Sequence, residues 1–262
     1  MEFTDQINRK IILSETPKRI ISLVPSQTEL LVDLGLADKI CGLTKFCVHP
    51  PGFKETKTIV GGTKAVHYEV IKSLNPDIIL CNKEENTKEI VEMLAKDFTV
   101  HVSDVETIED NFEMIEQYGK ILNAEEKADE IIQKTKDQLK KFESYISTKK
   151  KLKVAYFIWR KPWMLAGGDT FINYLLELNK FENVYSNSPR YPEVQLEELK
   201  AVDYYFLSSE PFPFEEKHKN EIEAVVNKGD FRFVDGEFFS WYGSRLAKAF
   251  GYFRELREGM EN

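Results

Sequence analysis

No stretch of this chain comes near the ~20 uninterrupted apolar residues that a membrane-crossing helix needs, so no membrane span is expected. The first ten residues lack the apolar core of a secretory signal and carry Glu2, Asp5 and Arg9 instead. If Met1 is the native start, a cytoplasmic protein is expected. Cysteine is scarce. Cys41, Cys47 and Cys81 are too few and too odd in number for a disulfide framework, and none has the paired spacing of a structural zinc site. Positive charge is also short: the formal net charge is -8, and the basic run Lys149 to Lys153 is too brief to make nucleic acid the expected partner. The glycine pairs Gly61-Gly62 and Gly167-Gly168 have neither of the phosphate-loop spacings around them and read as tight turns.

Against these absences stands ordinary globular content, 42% hydrophobic residues in 262, enough for one large domain or two modest ones. The stretch from Asn123 to Ser147 holds no glycine and no proline. Ala124, Ala128, Ile131, Ile132, Thr135, Leu139, Phe142 and Ile146 follow helical spacing along one stripe, with charged residues filling the other positions. Asn123 and Glu126 have the spacing of a helix start. On both sides of this rod the chain alternates strand-like and helix-like segments, which predicts parallel sheets covered by helices. The expected fold is therefore α/β, with a first lobe over residues 1–122, a spanning helix over 123–150 and a second lobe over 151–262. A cleft between the lobes is where function is expected.

In open α/β sheets, ligands bind beyond the carboxyl ends of the strands. After the first lobe's strands come Pro25 and Ser26, then Lys45, Phe46, Cys47 and His49, then Lys83. In the second lobe the corresponding loops hold Trp159, Arg160, Lys161 and Trp163, then Ser209 and Glu210, then Trp241, Tyr242 and Arg245. All three tryptophans fall in this set, as a bulky, planar, partly apolar ligand would require, although each could equally cement its lobe. Cys47 and His49 are two apart, so in an extended loop both side chains point the same way and could together contact a soft metal, including one already chelated by a ligand. A thiol beside an imidazole also allows an enzyme reading, but the sequence names no third group that would orient the histidine. Arg160, Lys161 and Lys45 could meet carboxylates or phosphates, or be solvated charges.

The run from Arg19 to Leu31, the Gly61-Gly62 pair followed by Glu69 and Leu74-Asn-Pro-Asp-Ile-Ile-Leu80, and the long central helix together resemble the helical-backbone substrate-binding proteins of ABC importers for cobalamin and iron siderophores. The resemblance runs from about Pro17 to Leu256. It implies a non-enzymatic protein with no intrinsic cofactor, holding a corrinoid or ferric chelate. It further implies a permease partner met by one surface glutamate per lobe: Glu69 in the first and Glu197 in the second, with Glu198 as an alternative. The same resemblance offers a periplasmic or surface location as the alternative to the cytoplasm, and an intracellular carrier or sensor of the same ligands as the alternative to an importer component.

Overall fold

The computed structural model describes residues 1–226 and 228–260. These form two compact units, Met1–Lys136 with Tyr242–Ala247, and Asp137–Trp241 with the chain from Lys248 onward. Among the described residues no helix is long and apolar enough to cross a membrane.

In the first unit a hairpin of β1 (Glu2–Thr4) and β2 (Lys10–Ile12) precedes β3 (Ile20–Ser22), α1 (Pro25–Asp33), β4 (Ile40–Leu43), β5 (Thr58–Ile59), α2 (Tyr68–Leu74), β6 (Ile78–Asn82), α3 (Lys88–Leu94), β7 (Val100–Ser103) and α4 (Ile108–Leu122). The sheet order is β5-β4-β3-β6-β7, with every pairing parallel. The continuous apolar runs of β3 and β6 suit strands covered on both faces, and Ile21, Leu23, Ile79 and Cys81 join one core with Ile71, Leu94 and Val102. The hairpin is tied to the sheet by buried Asp5, which accepts hydrogen bonds from the Arg9 amide at 2.7 Å and the Val102 amide at 3.1 Å.

α1 departs from the start that the capping-box spacing of Ser26 and Glu29 predicts. Ser26 does not cap it: Val24 is the N-cap and Pro25 opens the first turn, where a missing N–H is harmless. Glu29, the other half of the apparent capping box, is buried and paired with Arg245. α4 has a true capping box, Thr107 with Asp110, and ends at Asn123 in the left-handed conformation. The long helix α5 (Glu125–Ile146) therefore begins two residues past the expected cap. Its 22 residues span about 33 Å, and its buried positions are Ala128, Ile132, Thr135, Phe142 and Ile146, the stripe read from sequence. The boundary between the units falls within α5.

The second unit contains β8 (Leu152–Trp159), β9 (Trp163–Leu165), α6 (Phe171–Leu178), β10 (Phe181–Asn183), β11 (Glu193–Val194), β12 (Tyr204–Ser208), α7 (Glu216–Glu223), β13 (Asp230–Val234), α8 (Gly236–Ser240) and α9 (Leu246–Glu258). β8 pairs in parallel with β12 and β10, and β12 with β13, whereas β9 runs antiparallel to β8 and to β11. The tight turn expected at Gly167-Gly168 is not formed: Gly168 bridges Pro189 in parallel, and both glycines lie against the turn of residues 186–190, where a Cβ on Gly167 would strike the Ser188 carbonyl oxygen and one on Gly168 that of Ser186.

The sequence predicts a helix near Gln195 to Ala201 and another from about Trp241 to Leu256, and neither is a continuous α-helix. The segment near Gln195 to Ala201 is one 3₁₀ turn, Leu196–Glu198, because Leu196 and Leu199, three apart, both pack on the core and suit a three-residue repeat. The helix expected from Trp241 to Leu256 is broken between α8 and α9. Gly243 sits there at φ +90°, and residues 242–247 belong to the first unit.

Candidate functional site

In each unit the strand order reverses about its first long strand, and the loops leaving that point are the expected ligand contacts. In the first unit the chain lays β4 and β5 on one side of β3 and β6 and β7 on the other, so the switch point lies between β3 and β6. In the second, β10 lies on one side of β8 and β12 and β13 on the other, so it lies between β8 and β12.

At the first switch point Pro25 is half-buried, and Ser26 is buried close to Tyr242. Gln27, in the next position of α1, donates to Ser103 Oγ at 2.7 Å and contacts the Tyr242 hydroxyl at 3.2 Å. Burial holds the Tyr242 phenol well above its ordinary pKa, so it stays protonated. Arg245 fastens the same segment with a two-pronged pair onto Glu29, at 2.7 and 3.2 Å, and Gly243 donates its amide to Asn111 Oδ1 at 2.6 Å. Arg245, expected at the ligand, is thus turned inward.

The loop after β4 divides its residues sharply. Phe46 is 49% exposed, with the Lys45 ammonium 5.0 Å from its ring centroid and Gly62 close to the ring, where a Cβ would come within 3.1 Å of Phe46 Cε2. Cys47 is 0% exposed, its sulfur 3.1 Å from Thr28 Oγ1 and 3.3 Å from Thr44 Oγ1. Burial pushes this thiol up, so it is protonated at neutral pH and supplies neither a nucleophile nor an outward metal contact. His49 is half-buried. Among the described residues no group of three His, Cys, Asp or Glu side chains could hold a metal ion. Cys47→Ala should leave the visible spectrum of any bound chelate unchanged, and native Cys47 should resist iodoacetamide until the protein is unfolded. Prompt alkylation of the native thiol would refute this placement.

Lys83, exposed after β6, holds Asp104 at 2.6 Å. Glu85, two residues on and not among the contacts expected from the sequence, is half-buried beside Thr63.

At the second switch point Trp159 is 39% exposed and meets the edge of Phe212 at 5.7 Å between centroids. Phe212 continues into Phe214 at 5.0 Å and His218 at 4.9 Å, a run of rings that the Pro211-Phe-Pro-Phe214 segment signals only as a loop. Trp163 is more committed: it stacks on Phe214 at 17° and packs edge-on to Phe157. Arg160 lies over Trp163 at 5.7 Å and grips Glu221 of α7 at 2.8 and 2.9 Å. Lys161 is exposed. Ser209 accepts from the Gly236 amide at the start of α8 and Glu210 from the Ser240 hydroxyl at its end, so the two brace that short helix. Trp241 is 8% exposed and is a packing residue. Glu69, in the first turn of α2, and Glu197 and Glu198, on their 3₁₀ turn, are all exposed carboxylates.

A model of the periplasmic binding protein family matches residues 20–227. Among curated proteins the chain is 30% identical over 187 residues to an uncharacterized ABC transporter substrate-binding lipoprotein, YvrC, of Bacillus subtilis, covering 68% of this chain and 59% of that protein. It is 24% identical over 221 residues to the vitamin B12-binding protein of Vibrio parahaemolyticus, covering 82% of this chain and 80% of that one. Its fold matches the periplasmic vitamin B12 binding protein BtuF of Vibrio cholerae with a TM-score of 0.79 at 20% identity, over 94% of this chain and 99% of that structure. With the family model spanning most of its length, the chain belongs to the periplasmic binding protein family, a family of solute carriers and not of enzymes.

Proposed function

We propose that this protein binds a bulky metal-containing chelate, a corrinoid or a ferric siderophore, without altering it, as the substrate-binding component of an ABC-type uptake system. The observation that carries the reading is the exposed aromatic surface at the switch-point and strand-end loops: Trp159 backed by Phe212 in the second unit, and Phe46 with Lys45 beside it in the first. Flat, half-exposed rings give a planar ligand contact area at small entropic cost, and cations beside them suit the peripheral acceptors of such ligands. Family membership and a curated relative that binds vitamin B12 support the same class. Arg160 and Lys161 are retained as further contacts, whereas Ser26, Cys47, Trp163, Trp241, Tyr242 and Arg245 serve packing.

Glu69 and Glu197 are the proposed permease contacts, with Glu198 in reserve, and an extracytoplasmic setting follows the lipoprotein and periplasmic character of the relatives. Calorimetry and visible absorbance with cyanocobalamin, haemin and a ferric siderophore test the binding: one should saturate at a single site, and saturation by none would overturn the reading. Glu69→Lys and Glu197→Lys should preserve that binding while abolishing uptake in cells; uptake at the wild-type rate would remove the docking role.

A further inference from the structure

The loop that leaves β6 at the first unit's switch point is held in one shape by its own side chains. Asn82 Oδ1 accepts from the Glu84 and Glu85 amides at 2.9 and 3.0 Å, and Asn86 Oδ1 accepts from the Asn82 amide at 2.9 Å. Asn86 Nδ2 then donates to the Thr63 carbonyl at 2.9 Å and the Leu23 carbonyl at 3.4 Å, which ties the loop to the glycine turn and to the exit of β3. Within this frame the cations are directed elsewhere: the Lys83 ammonium meets Asp104, and that of Lys64 meets the Glu84 carbonyl. The Glu85 side chain is half-buried, close to the Thr63 side chain and within electrostatic reach of the buried Tyr242 phenol. Burial raises its pKa, Lys64 opposes that, and Glu84 adds to it. A partly desolvated carboxyl among hydroxyls is a strong acceptor of N–H hydrogen bonds and a poor neighbour for a second anion.

We propose that Glu85 determines ligand specificity at this switch point by accepting hydrogen bonds from amide or amine N–H groups of the ligand and disfavouring ligands that place a carboxylate there. The inference rests on the chelate-binding reading and narrows it to amide-bearing chelates, of which corrinoids are the bulky planar kind, over carboxylate-bearing ones such as haem. Because the loop is fixed by Asn82 and Asn86, Glu85 would meet the ligand with little ordering left to do.

The test is calorimetric titration of the full chain, wild type, Glu85→Ala and Glu85→Gln, with cyanocobalamin and with haemin, each variant first shown by circular dichroism to fold. The wild type should prefer cyanocobalamin. Glu85→Ala should weaken cyanocobalamin binding by about tenfold or more, the scale of a hydrogen bond to a charged group. Glu85→Gln, which keeps an acceptor but loses the charge, should retain most of that affinity and bind haemin more tightly than the wild type does. A wild-type preference for haemin, or affinities for both ligands within about twofold in both variants, would overturn the inference while leaving chelate binding intact. Failure of the wild type to bind either of these chelates or a ferric siderophore would overturn the chelate reading and this inference with it.

Discussion

Arg245→Ala is expected to destabilise the first unit by about 3–5 kcal/mol, because it strands the Glu29 carboxylate in a place with little access to water. Both side chains are more than nine-tenths buried, and their contact is two-pronged, at 2.7 and 3.2 Å. Restoring shape without charge should recover much of the loss, so Glu29→Leu with Arg245→Met is expected to be far more stable than Arg245→Ala alone. Hydrogen exchange of β3 and β6 amides against urea is the suitable measurement, since the three tryptophans all lie in the second unit and would not report on the first. A change below about 1 kcal/mol for Arg245→Ala would place this pair in the class of exposed ion pairs and contradict its burial. The pair matters beyond its own energy: with the Gly243 to Asn111 and Tyr242 to Gln27 bonds, it fixes a segment from the end of the chain beside Ser26, at the mouth of β3.

Trp159→Ala is expected to reduce chelate affinity by about 2 kcal/mol or more, roughly thirtyfold, the loss typical of a central aromatic anchor. The effect should fall on binding and not on folding, because the ring is 39% exposed and rests on Phe212 by one edge. Trp163→Ala should behave in the opposite way, lowering stability more than affinity, since that ring is stacked on Phe214 and set against Phe157. The contrast separates a ligand contact from a packing residue within a single loop. Titrating both variants with the chelate that the wild type binds, alongside urea unfolding, reads it out. Affinity within about twofold of wild type for Trp159→Ala would remove the ring from the site.

The parts of this architecture that rest on periodicity were legible in the sequence. The stripe of α5 was readable because a helix with one buried face repeats every 3.6 residues, and the buried positions Ala128, Ile132, Thr135, Phe142 and Ile146 keep that spacing. Likewise the amphipathic pattern from Ile108 to Leu122 predicts a helix over the span that α4 takes. What depends on partners distant in sequence was not legible. Glu29 mimicked half of a capping box, and its partner lies 216 residues away. The break between α8 and α9 was hidden because Trp241, Tyr242 and Leu246 continue an apolar pattern, while the interruption comes from Gly243 at φ +90° and its approach to the Ser26 carbonyl.

The same limit governed the site. The strand-end loops were identified from order alone, since each strand in an α/β alternation exposes its carboxyl end on one side of the sheet. Which residues in those loops face outward was not, because loops lack a period. Phe46 and Cys47 are neighbours, yet one is half-exposed and the other fully enclosed by two threonines. Glu85 could have been noticed from the flanking Asn82 and Asn86, whose side chains favour loops folded on their own backbone.

The central claim, binding without chemistry, is tested most directly by equilibrium dialysis of the protein against a chelate that it saturates, followed by release and analysis of the chelate. The account predicts one saturable site with a dissociation constant of about 1 μM or tighter, equivalent to about -8 kcal/mol, and recovery of the chelate chemically unchanged. A chelate recovered with its metal removed, its axial ligand exchanged or its periphery modified would contradict it.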